Sequence, residues 1–136
     1  MTIRLPIILG LLALCAPATA APLAITVTGI QRAKGSILAE ILTEAGKPAG
    51  VTGAAIQASG VLMLKPVDLA PGRYAVRLYQ DVNDNRQLDS GLFGIPSEPY
   101  GFSNNPKARF GPPKLATMLM MVPETGHAVT IALQGQ

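Results

Sequence analysis

Cysteine and tryptophan are nearly missing from this 136-residue chain, which has one cysteine, Cys15, and no tryptophan. A lone cysteine forms no internal disulfide, and thiolate metal sites need several, so the fold is held together without a covalent staple or a zinc ribbon. Charged residues make up only 14% of the sequence, and its 11 Lys and Arg against 8 Asp and Glu contain no basic run. Phosphate recognition requires clustered cations, so nucleic acid is not an expected partner. Histidine is scarce too: His127 is the only one, and no G-x-S-x-G, H-E-x-x-H or Ser-His-Asp pattern accompanies it. Thiol and triad chemistry are thereby set aside.

What the chain does have begins with an export signal. Arg4 precedes an apolar run over residues 5–16, and Pro17-Ala18-Thr19-Ala20 then supplies the small residues of an A-x-A cleavage site. The run is shorter than the roughly 20 residues that span a bilayer. Residues 1–20 therefore read as a cleavable signal peptide, with Ala21 as the first residue of the exported protein. Leu14 stands before Cys15 where lipidation needs a small residue, so the exported form is expected to carry neither a cysteine nor a membrane anchor. A periplasmic or extracellular location follows. Residues 21–136 suffice for a single domain with a modest core.

Within that domain, helical spacing is rare, and short alternating runs bounded by Gly, Pro, Asn and Asp recur. The pattern predicts strands over 23–30, 36–43, 51–59, 61–67, 73–79, 115–122 and 127–134. The fourth of these follows an Ala- and Gly-rich stretch at 44–59 that offers little side chain to pack and reads as a loose edge. Pro71-Gly72 predicts a type II turn, in which Gly72 takes the positive φ. Pro123-Glu124-Thr125-Gly126 is of hairpin length, so the last two strands are expected to pair antiparallel. About seven strands with frequent turns predict an all-β fold, a seven-stranded antiparallel β-sandwich of immunoglobulin-like or transthyretin-like type.

One long loop, residues 81–113, interrupts this regularity, and loops of this length inside a small domain are usually functional or disordered. Leu88, Leu92, Phe93, Ile95, Tyr100, Phe102 and Phe110 are apolar anchors that predict a packed excursion. Phe102 and Phe110 are expected to pack inward, leaving Tyr100 as the exposed aromatic. Three segments are distinctive: D-V-N-D-N-R-Q-L-D at 81–89, G-I-P-S-E-P-Y-G-F-S-N-N at 94–105, and R-F-G-P-P at 109–113. In this order, with V-T-G-I in the first strand, they resemble the bacterial family known as domain of unknown function 2141, over essentially the whole exported chain. The resemblance implies an exported β-sandwich protein of unassigned biochemical role. The L-x-P-G-x-Y turn at 69–74 is similar to that of transthyretin-like and carboxypeptidase regulatory-like sandwiches, which usually act as accessory or binding modules; that is an analogy of fold.

Four kinds of chemistry are open to the loop and the strands beside it. Asp81, Asn83, Asn85, Gln87 and Asp89 occupy positions 1, 3, 5, 7 and 9 of an EF-hand-like calcium loop, although Arg86 replaces the turn glycine and Leu92 the bidentate Glu. Glu98 is a substitute carboxylate, and the same Asp and Asn also build consecutive Asx turns with no ion. Asp81, Asp84, Asp89 and Glu98 provide the carboxylates for a hydrolase, whose mark would be convergence in a concave pocket. Met118, Met120, Met121 and His127 suit Cu(I) if the terminal hairpin puts them on one face, and otherwise serve as core filler. Finally, Tyr100, Asn104, Asn105 and Arg109 offer aromatic and directed polar contacts to a ligand or protein. The reading that results is a non-enzymatic binding or structural module, stabilised by calcium, with an envelope protein or glycan as partner; the alternative is an envelope hydrolase using the loop carboxylates.

Overall fold

A computed structural model describes residues 19–135. All but the last two positions of the expected signal peptide, including Cys15, lie outside the described residues. The strands are β1 (Ala21–Ile30), β2 (Ser36–Thr43), β3 (Pro48–Ala55), β4 (Gly60–Met63), β5 (Val67–Leu69), β6 (Gly72–Asp81), β7 (Tyr100–Phe102), β8 (Met120–Val122) and β9 (His127–Ala132). One helical turn, α1, covers Leu115–Met118.

The strands form two stacked sheets of four and five. In the first sheet β1 is central: Thr26 pairs with Met63 of β4 on one side and Thr130 of β9 on the other, while Leu23 pairs with Val67 of β5 and His127 of β9. β4 and β5 thus share one edge of β1 as two halves of a broken row. In the second sheet the order is β3, β2, β6, and the far edge of β6 is divided between β8 at Gly72–Tyr74 and β7 at residues 77–79. Nine strands therefore occupy seven rows; of the nine, β7 lies inside the stretch 81–113 expected to be a loop, and β5 begins only where the expected 61–67 strand ends.

Alternation places the core. Leu23, Ile25 and Val27 of β1 face Ile37, Ala39 and Ile41 of β2 and Val76 and Leu78 of β6, with Val122 and Ile131 completing the layer between the sheets. The intervening residues of each strand face out, as a half-wet sheet requires. A smaller cluster of Leu42, Ala75, Phe102 and Met118 lies on the outer side of the second sheet, so both faces of that sheet are partly covered.

Several expectations are corrected. The terminal hairpin does not form: β8 pairs antiparallel with β6 in one sheet, and β9 pairs parallel with β1 in the other. The Pro123–Gly126 link crosses between the layers, which satisfies a β6 edge and a β1 edge that a hairpin would leave open. Residues 115–118 are helical rather than extended, with Thr117 capping locally onto the Lys114 carbonyl at 2.6 Å. Gly72 has no positive φ and is the first residue of β6, so Pro71-Gly72 is not a type II turn. The motif is held instead by Tyr74, whose hydroxyl donates to the Ala70 carbonyl at 2.7 Å. A tyrosine that closes a corner onto backbone a few residues upstream is a device of immunoglobulin-like sandwiches. Its ring covers Gly72, where an added Cβ would sit 3.4 Å away.

Candidate functional site

The outer face of the second sheet is a grid set by register. Glu40 lies opposite Arg77, and Arg77 opposite Phe102; Leu38 lies opposite Tyr79, and Tyr79 opposite Tyr100. Val51 and Gly53 of β3 extend the same two rows. Two arms rise beside this floor, one spanning residues 84–96 and the other 108–112. Together they enclose an open groove of about 1560 Å³. Five of the six aromatic residues of the chain line it: Tyr79, Phe93, Tyr100, Phe102 and Phe110. Across the floor, Arg77 Nε donates to Glu40 Oε2 at 2.7 Å. That pair neutralises itself and leaves other donor and acceptor sites facing the groove.

The first arm is anchored by two buried carboxylates. Asp81 ends β6, and its Oδ1 accepts the Asn85 N–H at 3.1 Å while its Oδ2 accepts the Arg86 N–H at 2.7 Å. Glu98 Oε1 accepts the Val82 N–H at 2.8 Å, and Oε2 accepts the Asp89 N–H at 3.0 Å. Each carboxylate thereby satisfies two backbone donors that would otherwise be left unpaired on burial. Between them run the Asx turns: Asn83 Oδ1 accepts Asn85 N–H, Asn85 Oδ1 accepts Gln87 N–H, and the amides of Asn83 and Asn85 donate to the two oxygens of Asp89 at 2.6 and 2.9 Å. Gly35 packs so closely on the Asp81 carbonyl that an added Cβ would lie 1.9 Å from the oxygen.

The calcium candidates are thus brought together on one loop. Asp81, Asn83, Asn85 and Asp89 interact through their side chains, and Gln87 through its N–H. Arg86 takes φ 60, the turn conformation that a glycine would adopt at lower cost. Position 12, Leu92, faces solvent and offers no ligand atom. Among the described residues, no group of three or more His, Cys, Asp and Glu is arranged to hold a metal.

The four hydrolase carboxylates do not converge on a common point of the groove. Asp81 and Glu98 are buried on backbone donors, Asp89 receives the two Asn amides, and exposed Asp84 accepts from the Ser36 hydroxyl at 3.1 Å. Their collective charge is felt at Tyr79: burial first, then the charges of Asp81, Glu98 and Asp89, raises its phenol above the usual 10.0.

The polar residues of the second arm have structural partners. Asn104 Nδ2 donates to the Thr117 and Leu119 carbonyls, and Asn105 bridges β9 by accepting the Ala132 N–H at 2.8 Å and donating to the Thr130 carbonyl. Both take positive φ. Tyr100 is half-buried in β7, its ring 5.7 Å from that of Phe102, and it pairs with Gln134 through backbone bonds in both directions. Arg109 is exposed on the groove rim. The expected inward packing holds for Phe102 and fails for Phe110, which is fully exposed; Leu92, Phe93 and Ile95 are also solvent-facing, and Leu88 is exposed at the groove. Copper has no site of the expected kind, because Met118 is buried under the outer cluster, Met120 is in the main core, and His127 is exposed on the other sheet.

Four residues that the sequence does not single out carry weight here. Ser103 is fully buried, where its hydroxyl donates to the Met118 carbonyl at 2.6 Å and accepts the Val76 N–H at 2.9 Å, tying the second arm's root to β6. Gln80 donates to the carbonyls of Arg32 and Lys34, pinning the β1–β2 turn. A buried Ser or Gln has no signature in a single sequence. Glu40 and Arg77 do stand at outward positions of alternating strands, but only the register pairs them.

Against this geometry, the profile of the bacterial family described as "Uncharacterized protein conserved in bacteria (DUF2141)" matches residues 25–130. The chain belongs to this family. The DUF2141 match begins inside β1 and ends inside β9, so it includes both sheets and both arms of the groove. No curated protein and no solved structure matches the chain.

Proposed function

We propose that this DUF2141 protein is an exported, non-enzymatic binding module that takes its partner, a glycan or a segment of an envelope protein, in the groove over the second sheet. The three rings Tyr79, Tyr100 and Phe102 on the floor of one groove, with Phe93 and Phe110 at its rim, carry this reading. Aromatic rings offer large, stiff contact area at little entropic cost, and the Glu40–Arg77 pair supplies directed hydrogen bonds among them. The groove-lining charges Arg77, Arg86, Arg109, Glu40, Asp81 and Asp84 sum to zero, which favours an uncharged contact surface on the partner. Catalysis is disfavoured, because the two buried carboxylates are engaged with backbone donors. Export is supported by β1, which starts at Ala21, the residue after the expected cleavage point, with its side chain buried.

A glycan array and a pull-down from envelope extract test the groove, each run with wild type and with the floor variant Arg77→Ala/Tyr79→Ala. Partners lost by the variant support the reading, and identical profiles for the two proteins overturn it. Calcium is proposed as a stabiliser of the first arm at Asp81, Asn83, Asn85, Gln87 and Asp89. Binding requires the Asn83 and Asn85 amides to turn their oxygens inward in place of the donors now on Asp89, which puts the affinity in the weak, extracellular class. A rise in melting temperature in millimolar calcium over chelator, lost in Asp81→Ala, is the expected result. An unchanged melting temperature removes the ion from the proposal.

A further inference from the structure

The arm tips present a combination that the groove floor does not need. Leu92, Phe93, Ile95 and Phe110 are 84%, 97%, 65% and 103% exposed. Phe93, Ile95 and Phe110 border the same groove from its two arms, so both tips belong to one rim of the molecule. The second arm is also one-signed: Lys107, Arg109 and Lys114, all exposed, lie within four residues of Phe110 in the chain, and no Asp or Glu occurs from residue 99 to residue 123. Among the described residues the ion pairs are Arg73–Glu44 and Arg77–Glu40, so none of these three cations is neutralised by a carboxylate.

Scattered exposed apolar residues are ordinary, but clustered ones on loop tips mark an interaction surface. Apolar side chains ringed by unpaired cations match the two layers of an anionic bilayer, with acyl chains below and phosphates at the rim. A second copy of the chain is a poor occupant, because it would set the three cations of one arm against those of the other. We propose that the arm tips dock this protein on an anionic lipid bilayer, with Leu92, Phe93, Ile95 and Phe110 entering the interface and Lys107, Arg109 and Lys114 meeting lipid phosphates. This goes beyond the groove reading: the floor stays open to a partner while the tips hold the surface.

Flotation with vesicles of phosphatidylcholine, with and without phosphatidylglycerol, at low and raised salt is the test. Wild type is expected to float with the phosphatidylglycerol vesicles and to be released as salt screens the phosphates. Phe93→Ser/Phe110→Ser is expected to lose flotation at least tenfold with an unchanged melting temperature, since neither ring packs in the fold. Lys107→Gln and Arg109→Gln should each weaken binding about fivefold, and only on phosphatidylglycerol. Arg77→Ala/Tyr79→Ala should float like wild type, so loss of glycan or protein partners by that variant and failure at the bilayer are separate results. Absence of wild-type flotation on phosphatidylglycerol overturns the proposal, as does equal flotation by the Phe93→Ser/Phe110→Ser variant. Concentration-dependent self-association that this variant abolishes, without vesicle binding, assigns the tips to a copy-to-copy interface and overturns it too.

Discussion

The two outer faces of the sandwich differ in almost every respect. On the first sheet the outward row reads Ala24, Thr26 and Thr28 beside Ala128, Thr130 and Ala132, small uncharged side chains with Met63 alongside. No arm crosses it. On the second sheet the outward positions hold Glu40, Arg77, Tyr79 and Phe102, and the two arms of the long loop stand over them. Both sheets contribute buried residues to the layer between them, and only the second sheet also buries a cluster, Leu42, Ala75, Phe102 and Met118, on its outer side. The second sheet thus presents rings and directed polar groups on a face whose counterpart on the first sheet is plain, and the proposed binding role rests on that asymmetry.

The strongest way to break that comparison is to attack the inner face and the arm tips in parallel. Ile37→Ala, deep between the sheets, is expected to cost about 4 kcal/mol in chemical denaturation, from lost burial plus a residual cavity. Phe110→Ala removes a larger side chain but should shift stability by no more than about 0.5 kcal/mol, because the ring is already in water. A comparable loss at Phe110 would mean that the arm is part of the core.

Next in size is the arm's anchor. Glu98→Ala strips the acceptors from the Val82 and Asp89 N–H groups, and charge-assisted bonds of this kind put the loss at about 2–3 kcal/mol. Limited proteolysis should then cut within residues 82–97 while the sandwich stays intact. Cleavage spread evenly over the chain would show that the arm is not a separate unit. Smaller still, Arg86→Gly should raise stability by about 0.5–1 kcal/mol, because glycine takes φ 60 without the strain a side chain meets there. A destabilised variant would show that the Arg86 side chain is engaged in holding the arm.

The smallest effect is on pH. The Tyr79 phenol holds its proton more tightly in the fold than in the unfolded chain, chiefly through burial and then through the charges of Asp81, Glu98 and Asp89. Its contribution is fully present below pH 10.0 and is lost as pH rises above that value through the folded pKa. Wild type should thus lose stability above pH 10 more steeply than Tyr79→Phe. Parallel pH curves for the two proteins would detach Tyr79 from the carboxylates beneath the arm.

How much of this was legible depends on the range of the interactions. β1, β2 and β6 are readable because buried and more exposed positions alternate through most of each strand, with adjacent buried pairs only at 41–42, 75–76 and 80–81. The turns at 81–89 were readable because Asp and Asn bond to backbone two to five residues on. The terminal hairpin misled, because a four-residue link between two apolar runs looks the same whether its strands pair with each other or with β6 and β1. Phe102 and Phe110 are the same residue eight positions apart, and nothing local tells which one the outer cluster of Leu42, Ala75 and Met118 will cover.

By itself, then, the order of residues determined a β-sandwich, most of its inward-facing residues and a loop built of Asx turns, since these rest on local chemistry and on the period of two along a strand. Only the tertiary structure decided the crossing of β8 and β9 between sheets, the pairing of Glu40 with Arg77, the burial of Asp81, Glu98 and Ser103, and the gathering of five rings at one groove. Those features join residues far apart in the chain. Strand register and the competition of edges for partners bring them together, and neither is written in any one segment.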